Sequence, residues 1–229
     1  MTRRNAEDAP AAGAARPDMD AQTWAQCQIR DAIIDGELAP GSRLVEAELV
    51  ETYGVSRNRV RLALDTLIEE GLVERIPNRG ARVRVVSADE AIEIMECRMV
   101  LDGLLCHKAA SNGTDEQIAA LQENLRDMEA LLKAYDLMGY SRLIQRHHAL
   151  VHEAAQHRTA GRLIDRLQAQ IVRHQFQTSL IPGRASQSLQ ELKQVVAAIA
   201  SRDAQAAELA AREHVRGAIE AIRGSAESS

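Results

Sequence analysis

The chain has 229 residues, long for one core and comfortable for two domains of unequal size. Hydrophobic residues make up 45% and aromatic residues only 2%, so the cores must be built from Leu, Ile, Val and Ala in a sequence that favours helix. The formal net charge of -5 excludes a uniformly basic nucleic-acid coat. It leaves room for a local basic surface, because screening confines the relevant field to about 10 Å.

Residues 1–19 are rich in Ala, Pro and Asp and read as a disordered arm, not a signal peptide. Ala21 to Gly36 reads as a helix with Trp24, Ile29, Ala32 and Ile33 on one face, and Leu38-Ala-Pro-Gly41 breaks it. A short helix over Glu46 to Tyr53 carries Leu49 and Tyr53 inward and ends at Gly54. Ser56 is the expected N-cap of a third helix reaching Glu70, with Val55 and Val60 spaced as a hydrophobic staple. Its period buries Val60, Leu64, Leu67 and Ile68. Leu72 to Ile76, the turn Pro77-Asn-Arg-Gly80, and Ala81 to Val86 read as a two-stranded hairpin, and the alternation Arg82, Val83, Arg84, Val85 gives it one wet face. Three helices and a hairpin over residues 20–86 make a winged helix-turn-helix.

From Ser87 every strong segment is helical. Ser87 to Glu90 is a capping box opening a helix to about Ala110, and Thr114 to Gln117 opens another to about Leu137. Further helices are predicted near residues 140–156, 160–179, 186–200 and 203–222. The predicted fold is mainly α: the winged helix-turn-helix, then an antiparallel all-α bundle of about six helices over residues 87–224, and a tail at 225–229. No run of about eighteen apolar residues offers a membrane span. Cys27, Cys97 and Cys106 show no metal spacing and read as buried thiols of a reducing cytosol, so a cytoplasmic protein is expected.

The turn Tyr53-Gly-Val-Ser56 joins two short helices, and the second exposes Arg57, Asn58 and Arg61 opposite Val60, Leu64 and Leu67. A helix entering a major groove needs such donors on its first turns. Arg57 and Arg61 are four apart and project together, and arginine suits bidentate contact to guanine or phosphate. Arg79 and Gly80 form a small turn able to enter a minor groove. The candidate DNA-binding residues are Ser56, Arg57, Asn58, Arg59, Arg61, Arg79 and Gly80, with Arg59 and Arg82 read as solvated or phosphate-facing. A charged helix face used for protein contacts is the bland alternative.

The ordered set Leu38-Ala-Pro-Gly41, Leu44-Val-Glu46, Leu49, Gly54-Val-Ser-Arg57, Val60-Arg61, Ala63-Leu64, Leu67, Glu70-Gly71-Leu-Val73, Pro77, Gly80 and Val83 resembles the DNA-binding domain of the GntR family over residues 24–86. The resemblance implies that Arg57 and Arg61 contact an operator and that Gly80 lies in the wing. Asn58-Arg59 departs from the Thr-Pro usual in the family.

With Glu93, Arg98 and Asp102 in its first helix, the helical part is similar to the FadR-type (FCD) effector domain over residues 88–222. That implies a small-molecule effector inside the bundle. Many such domains hold a divalent metal through one Asp and three His. The matching positions here are Ile144, His148, Leu192 and His214, and neither Ile nor Leu offers a lone pair where a zinc-type site needs at least three protein ligands. His152, one turn after His148, and His174 are the residues left to substitute, so His148, His152 and His214 are the metal candidates of a site not expected to form. The expectation is no cofactor, and an effector that is either apolar or acyl-type or is gripped by Arg98, Asp102, His148 and His214. A structural salt bridge from Arg98 to Asp102 or Glu93 is the competing role, and His107 and His157 read as surface or helix-end residues.

No Ser or Cys nucleophile with base and orienter, HExxH or phosphate loop is visible, so an enzyme is not expected. The sequence points to a ligand-responsive repressor binding a palindromic double-stranded operator as a homodimer. The competing class is a helical metal-dependent enzyme or binding protein whose winged helix serves assembly.

Overall fold

The computed structural model describes residues 20–77 and 79–227; the expected arm, Asn78 and the last two residues lie outside them. The chain divides into two compact units, one ending at Val85 and the other beginning at Val86.

The first unit runs α1 (Ala21–Ile34), β1 (Arg43–Leu44), α2 (Glu46–Tyr53), α3 (Arg57–Glu69), β2 (Val73–Ile76) and β3 (Gly80–Val83). Asp20 starts α1 by accepting from the backbone N–H groups of Gln22 and Thr23 at 2.9 and 3.1 Å. Ala25, Ile29 and Ala32 are its buried stripe; α1 packs on α3, and Trp24 stays half-buried, edge-on to Tyr53 with ring centroids 6.0 Å apart. Gly54 caps α2 with φ of 64°, a left-handed conformation that glycine adopts without a Cβ penalty. The next residues enter α3, which buries Val60, Ala63, Leu64 and Leu67. Ile68 is only half-buried.

The sheet has three strands, ordered β1-β3-β2 and antiparallel, with Leu44 opposite Ala81 and Val73 opposite Val83. The hairpin reading missed β1, because two residues carry no period. The expected alternation also stops early: β3 ends at Val83, and Val85 is 59% exposed.

The second unit is helical throughout: α4 (Ala88–Asn112), α5 (Asp115–Lys133), α6 (Leu137–Ala155), α7 (Arg158–Ser179), α8 (Arg184–Ala200) and α9 (Ala204–Glu227). Helix α4 is its axis, packing on α6, α7, α8 and α9. The larger core joins Leu105, Leu121, Met128, Tyr140, Ile164, Leu189 and Ile199; a second cluster joins Ile94, Met95, Ile171, Val215, Ile219 and Ile222. Small residues let the helices approach closely: a Cβ on Gly103 would stand 3.0 Å from Arg212 Nε.

Helix α5 carries the expected Thr114–Gln117 capping box but ends at Lys133, short of Leu137. Tyr135 turns left-handed with φ of 57°, and the Asp136 carboxylate caps α6 by accepting from Gly139 N–H at 2.8 Å, so α6 starts three residues before Tyr140. The expected tail is also shorter, since α9 continues to Glu227. Of the cysteines only Cys106 is buried; Cys27 is half-buried and Cys97 exposed, which corrects the reading of three buried thiols. No helix among the described residues is long and apolar enough to cross a membrane.

Candidate nucleic-acid interface and ligand cavity

In the first unit Ser56, Arg57, Asn58, Arg59 and Arg61 are all exposed at the start of α3. Ser56 occupies the N-cap position but its side chain makes no capping hydrogen bond, which corrects the expected cap. Val55 and Val60 are both buried and hold the chain entry instead. Arg79 and Gly80 are exposed at the hairpin turn, where Gly80 has φ of 90°. The α3 face and the turn are neighbours: Glu46, Arg61, Asp65, Arg75 and Gly80 line one depression.

The sequence reading missed Glu46 as a partner of the arginines. Its carboxylate accepts from Arg57 Nε at 2.7 Å and from Arg61 Nε at 2.9 Å. These hydrogen bonds, Arg57's first, hold the Glu46 carboxyl below the usual carboxylate range. Both bonds use Nε, and the two arginine side chains stay largely exposed, at 69% and 57%. Other arginines of this unit are spent on acids: Arg75 on Asp65, Arg82 on Glu74 at 2.6 Å and Arg30 on Glu70 at 2.6 Å. Their positive charge is offset locally by these acids.

In the second unit a cavity opens among α4, α6, α7, α8 and α9, lined by Arg98, His148 and His214, by Tyr140, Gln175, Thr178, Arg184 and Ser188, and by the apolar Met95, Ile144 and Val215. The sequence reading named Arg98, His148 and His214 but missed Arg184, Gln175 and Tyr140. About 60 Å³ is open to the centres of water-sized atoms, where one water needs about 10–15 Å³. Arg98 is 1% exposed and donates from Nη2 to Asp102 at 3.2 Å. Asp102 therefore stands behind Arg98, outside the cavity lining, and Glu93 is exposed. Arg184, 7% exposed, donates to Glu191 at 2.9 Å, and the same carboxylate oxygen lies 2.8 Å from His214 Nδ1. Burial opposes ionisation of Glu191, but its hydrogen bonds to His214 and Arg184 outweigh it and hold the carboxyl below its usual range. Burial, then the Arg98 guanidinium, holds the His148 imidazole well below its usual range, so it is neutral.

A metal of the kind the resemblance implies does not fit these residues. Ile144 lines the cavity, Leu192 is buried in the core, and two imidazoles face two guanidinium cations. His152 turns to Asp165 at 3.3 Å, and His174 Nε2 lies 2.9 Å from the Val86 carbonyl oxygen. Among the described residues no three His, Cys, Asp or Glu side chains come together as a metal site.

A winged helix-turn-helix followed by a helical unit enclosing a polar cavity is the build of a transcription regulator with separate DNA-binding and effector-binding domains. Comparison with known proteins agrees. The family of bacterial regulatory proteins named gntR matches residues 22–83, and the FCD domain matches residues 93–217. The chain belongs to the GntR family and carries an FCD C-terminal domain. It is 27% identical over 195 residues to the HTH-type transcriptional repressor RspR of Escherichia coli (strain K12), covering 85% of this chain and 86% of that one. The fold is shared with Escherichia coli McbR/YncC, at a TM-score of 0.77 and 19% identity over 90% of this chain and 99% of that one. It is shared too with a GntR transcriptional regulator from Rhodococcus sp. RHA1, at a TM-score of 0.72 and 26% identity over 89% of this chain and 97% of that one.

Proposed function

We propose that the protein is a cytoplasmic repressor that binds a palindromic operator as a homodimer and leaves it when a small molecule enters the helical cavity. The observation that carries this reading is the pair Arg57 and Arg61, braced on Glu46 at the exposed start of α3. Braced, exposed guanidinium groups suit bidentate contact to guanine. Asn58 and Ser56 flank them, Arg59 is placed for phosphate, and Arg79 with Gly80 for the minor groove. The repressing sign is supported by the name of the relative RspR. Two-fold symmetry is the rule among such assemblies and is mirrored in palindromic sites. Exposed Val100, Leu163 and Leu209 give the helical unit apolar surface to bury on pairing. An effector shifts DNA binding only through a different affinity for the bound and released arrangements.

The test is selection of bound duplexes from a random pool, run with the wild type and with Arg57→Ala/Arg61→Ala. Recovery of a short inverted repeat by the wild type alone is the expected result. Equal enrichment by both proteins would move sequence reading away from α3.

A further inference from the structure

The misfit to a metal has a positive counterpart in the same cavity. Two arginines nine-tenths or more buried line it, and each has a buried nitrogen without a partner among the described residues: Nε of Arg98 and Nη1 of Arg184. A guanidinium has five N–H donors and cannot discharge them by losing its proton. Asp102 and Glu191 take only the Nη2 side of each. Buried charged donors of this kind require an acceptor, and no described residue supplies one at these two atoms. They lie on α4 and α8, and the first turn of α8 adds the positive end of its helix dipole to the same space.

We propose that this cavity is a metal-independent receptor for a compact carboxylate, whose oxygens take the free Arg98 Nε and Arg184 Nη1 donors. The proposal rests on the effector-binding reading of the helical domain and deepens it. The neutral His148, with Thr178 and Ser188, offers further hydrogen bonds, while Met95, Ile144 and Val215 form an apolar wall for a short hydrocarbon body. The volume takes a ligand of a few non-hydrogen atoms and turns away a long acyl chain. Glu191 sets the position of Arg184 and is itself fitted closely: a Cβ on Gly217 would stand 2.8 Å from Glu191 Oε1 and 3.3 Å from Arg184 Nη2.

The experiment is isothermal titration of the full-length protein, stripped with EDTA, with acetate, propionate, butyrate and glycolate. Acetamide, propionamide and butyramide serve as uncharged isosteres, and inorganic phosphate as a second oxyanion. At least one carboxylate should bind at one site per protomer with EDTA present, and its amide should not bind measurably. Arg184→Met should weaken that binding by tenfold or more. Arg184→Met/Glu191→Gln removes both members of the pair, guards against misfolding caused by a buried unpaired carboxylate, and should show the same loss with native circular dichroism. Binding that needs added zinc or nickel, equal binding of the amide, binding of phosphate alone, or no binding by any carboxylate would each overturn the proposal. No DNA enters these titrations. A protein that binds carboxylate yet never changes its hold on DNA would keep the receptor and lose the effector reading, while one that releases DNA to an uncharged ligand would do the reverse.

Discussion

Glu46→Ala isolates the brace behind the reading face. In the wild type one carboxylate, 2.7 and 2.9 Å from the two Nε atoms, fixes Arg57 and Arg61 before DNA arrives and leaves the trio with one net positive charge. Alanine suits the first turn of α2 and leaves two unbraced cations. Two effects of opposite sign follow. Ordering two free, rotamer-rich side chains on binding lowers affinity for the operator by about 5- to 150-fold. The lost carboxylate no longer offsets the arginines, so binding to any duplex strengthens and the slope of log K against log salt steepens by up to about 0.9. The charge effect is common to both duplexes and cancels in their affinity ratio, so the ratio of operator to scrambled-duplex affinity falls by the ordering effect alone. Fluorescence anisotropy titrations of both duplexes, from about 50 to about 200 mM salt, measure all three quantities. A steeper slope with an unchanged ratio would reduce Glu46 to a charge brake and refute its bracing role.

Acid should destabilise the helical unit through its histidines. Burial, then the electrostatic effect of neighbouring His214, pushes His147 down to about 3. Above the unfolded value near 6.5 it is neutral in both states; below that the unfolded chain takes up a proton the folded one refuses, so stability is lost as pH falls from about 6.5 toward 3, by about 1.4 kcal/mol per pH unit for each such histidine. Urea midpoints at about pH 7.5 and about pH 5.5 should converge more closely in His147→Leu than in the wild type, and equal pH dependence would contradict this. Gly113→Ala should cost about 1–3 kcal/mol, because its Cβ would stand 2.7 Å from the Ala109 carbonyl oxygen and 3.3 Å from Ala154 Cβ. Gly224→Ala, with no atom within 4 Å of its Cβ, should be neutral or stabilise α9 by up to about 1 kcal/mol in thermal unfolding.

Local chemistry made much of the fold legible. Gly54 and the spacing of Leu49 and Tyr53 gave α2 its limits, and the Thr114–Gln117 box opened α5 where expected. Elements set by tertiary pairing were not legible: β1 exists because Arg43 and Leu44 meet Arg82 and Ala81, and no two-residue pattern announces that. The site divides the same way. Arg57 and Arg61 stand out by sharing a helix face, while Glu46 reaches them from another helix, eleven and fifteen residues away. Arg98, His148 and His214 were named through resemblance, and folding places them on one cavity. Arg184 and Glu191 are joined to it only by the packing of α8 on α9, and neither residue type at its position carries a local signal.

The most direct test of DNA reading is an equilibrium titration of the selected duplex and a scrambled duplex with the full-length protein at physiological salt, with stoichiometry measured on the same samples. Two protomers per duplex and an operator preference of about a thousandfold or more are expected, with the preference lost in Arg57→Ala/Arg61→Ala. Equal affinity for both duplexes, or a preference that survives the double substitution, would contradict the assignment of α3 as the reading helix.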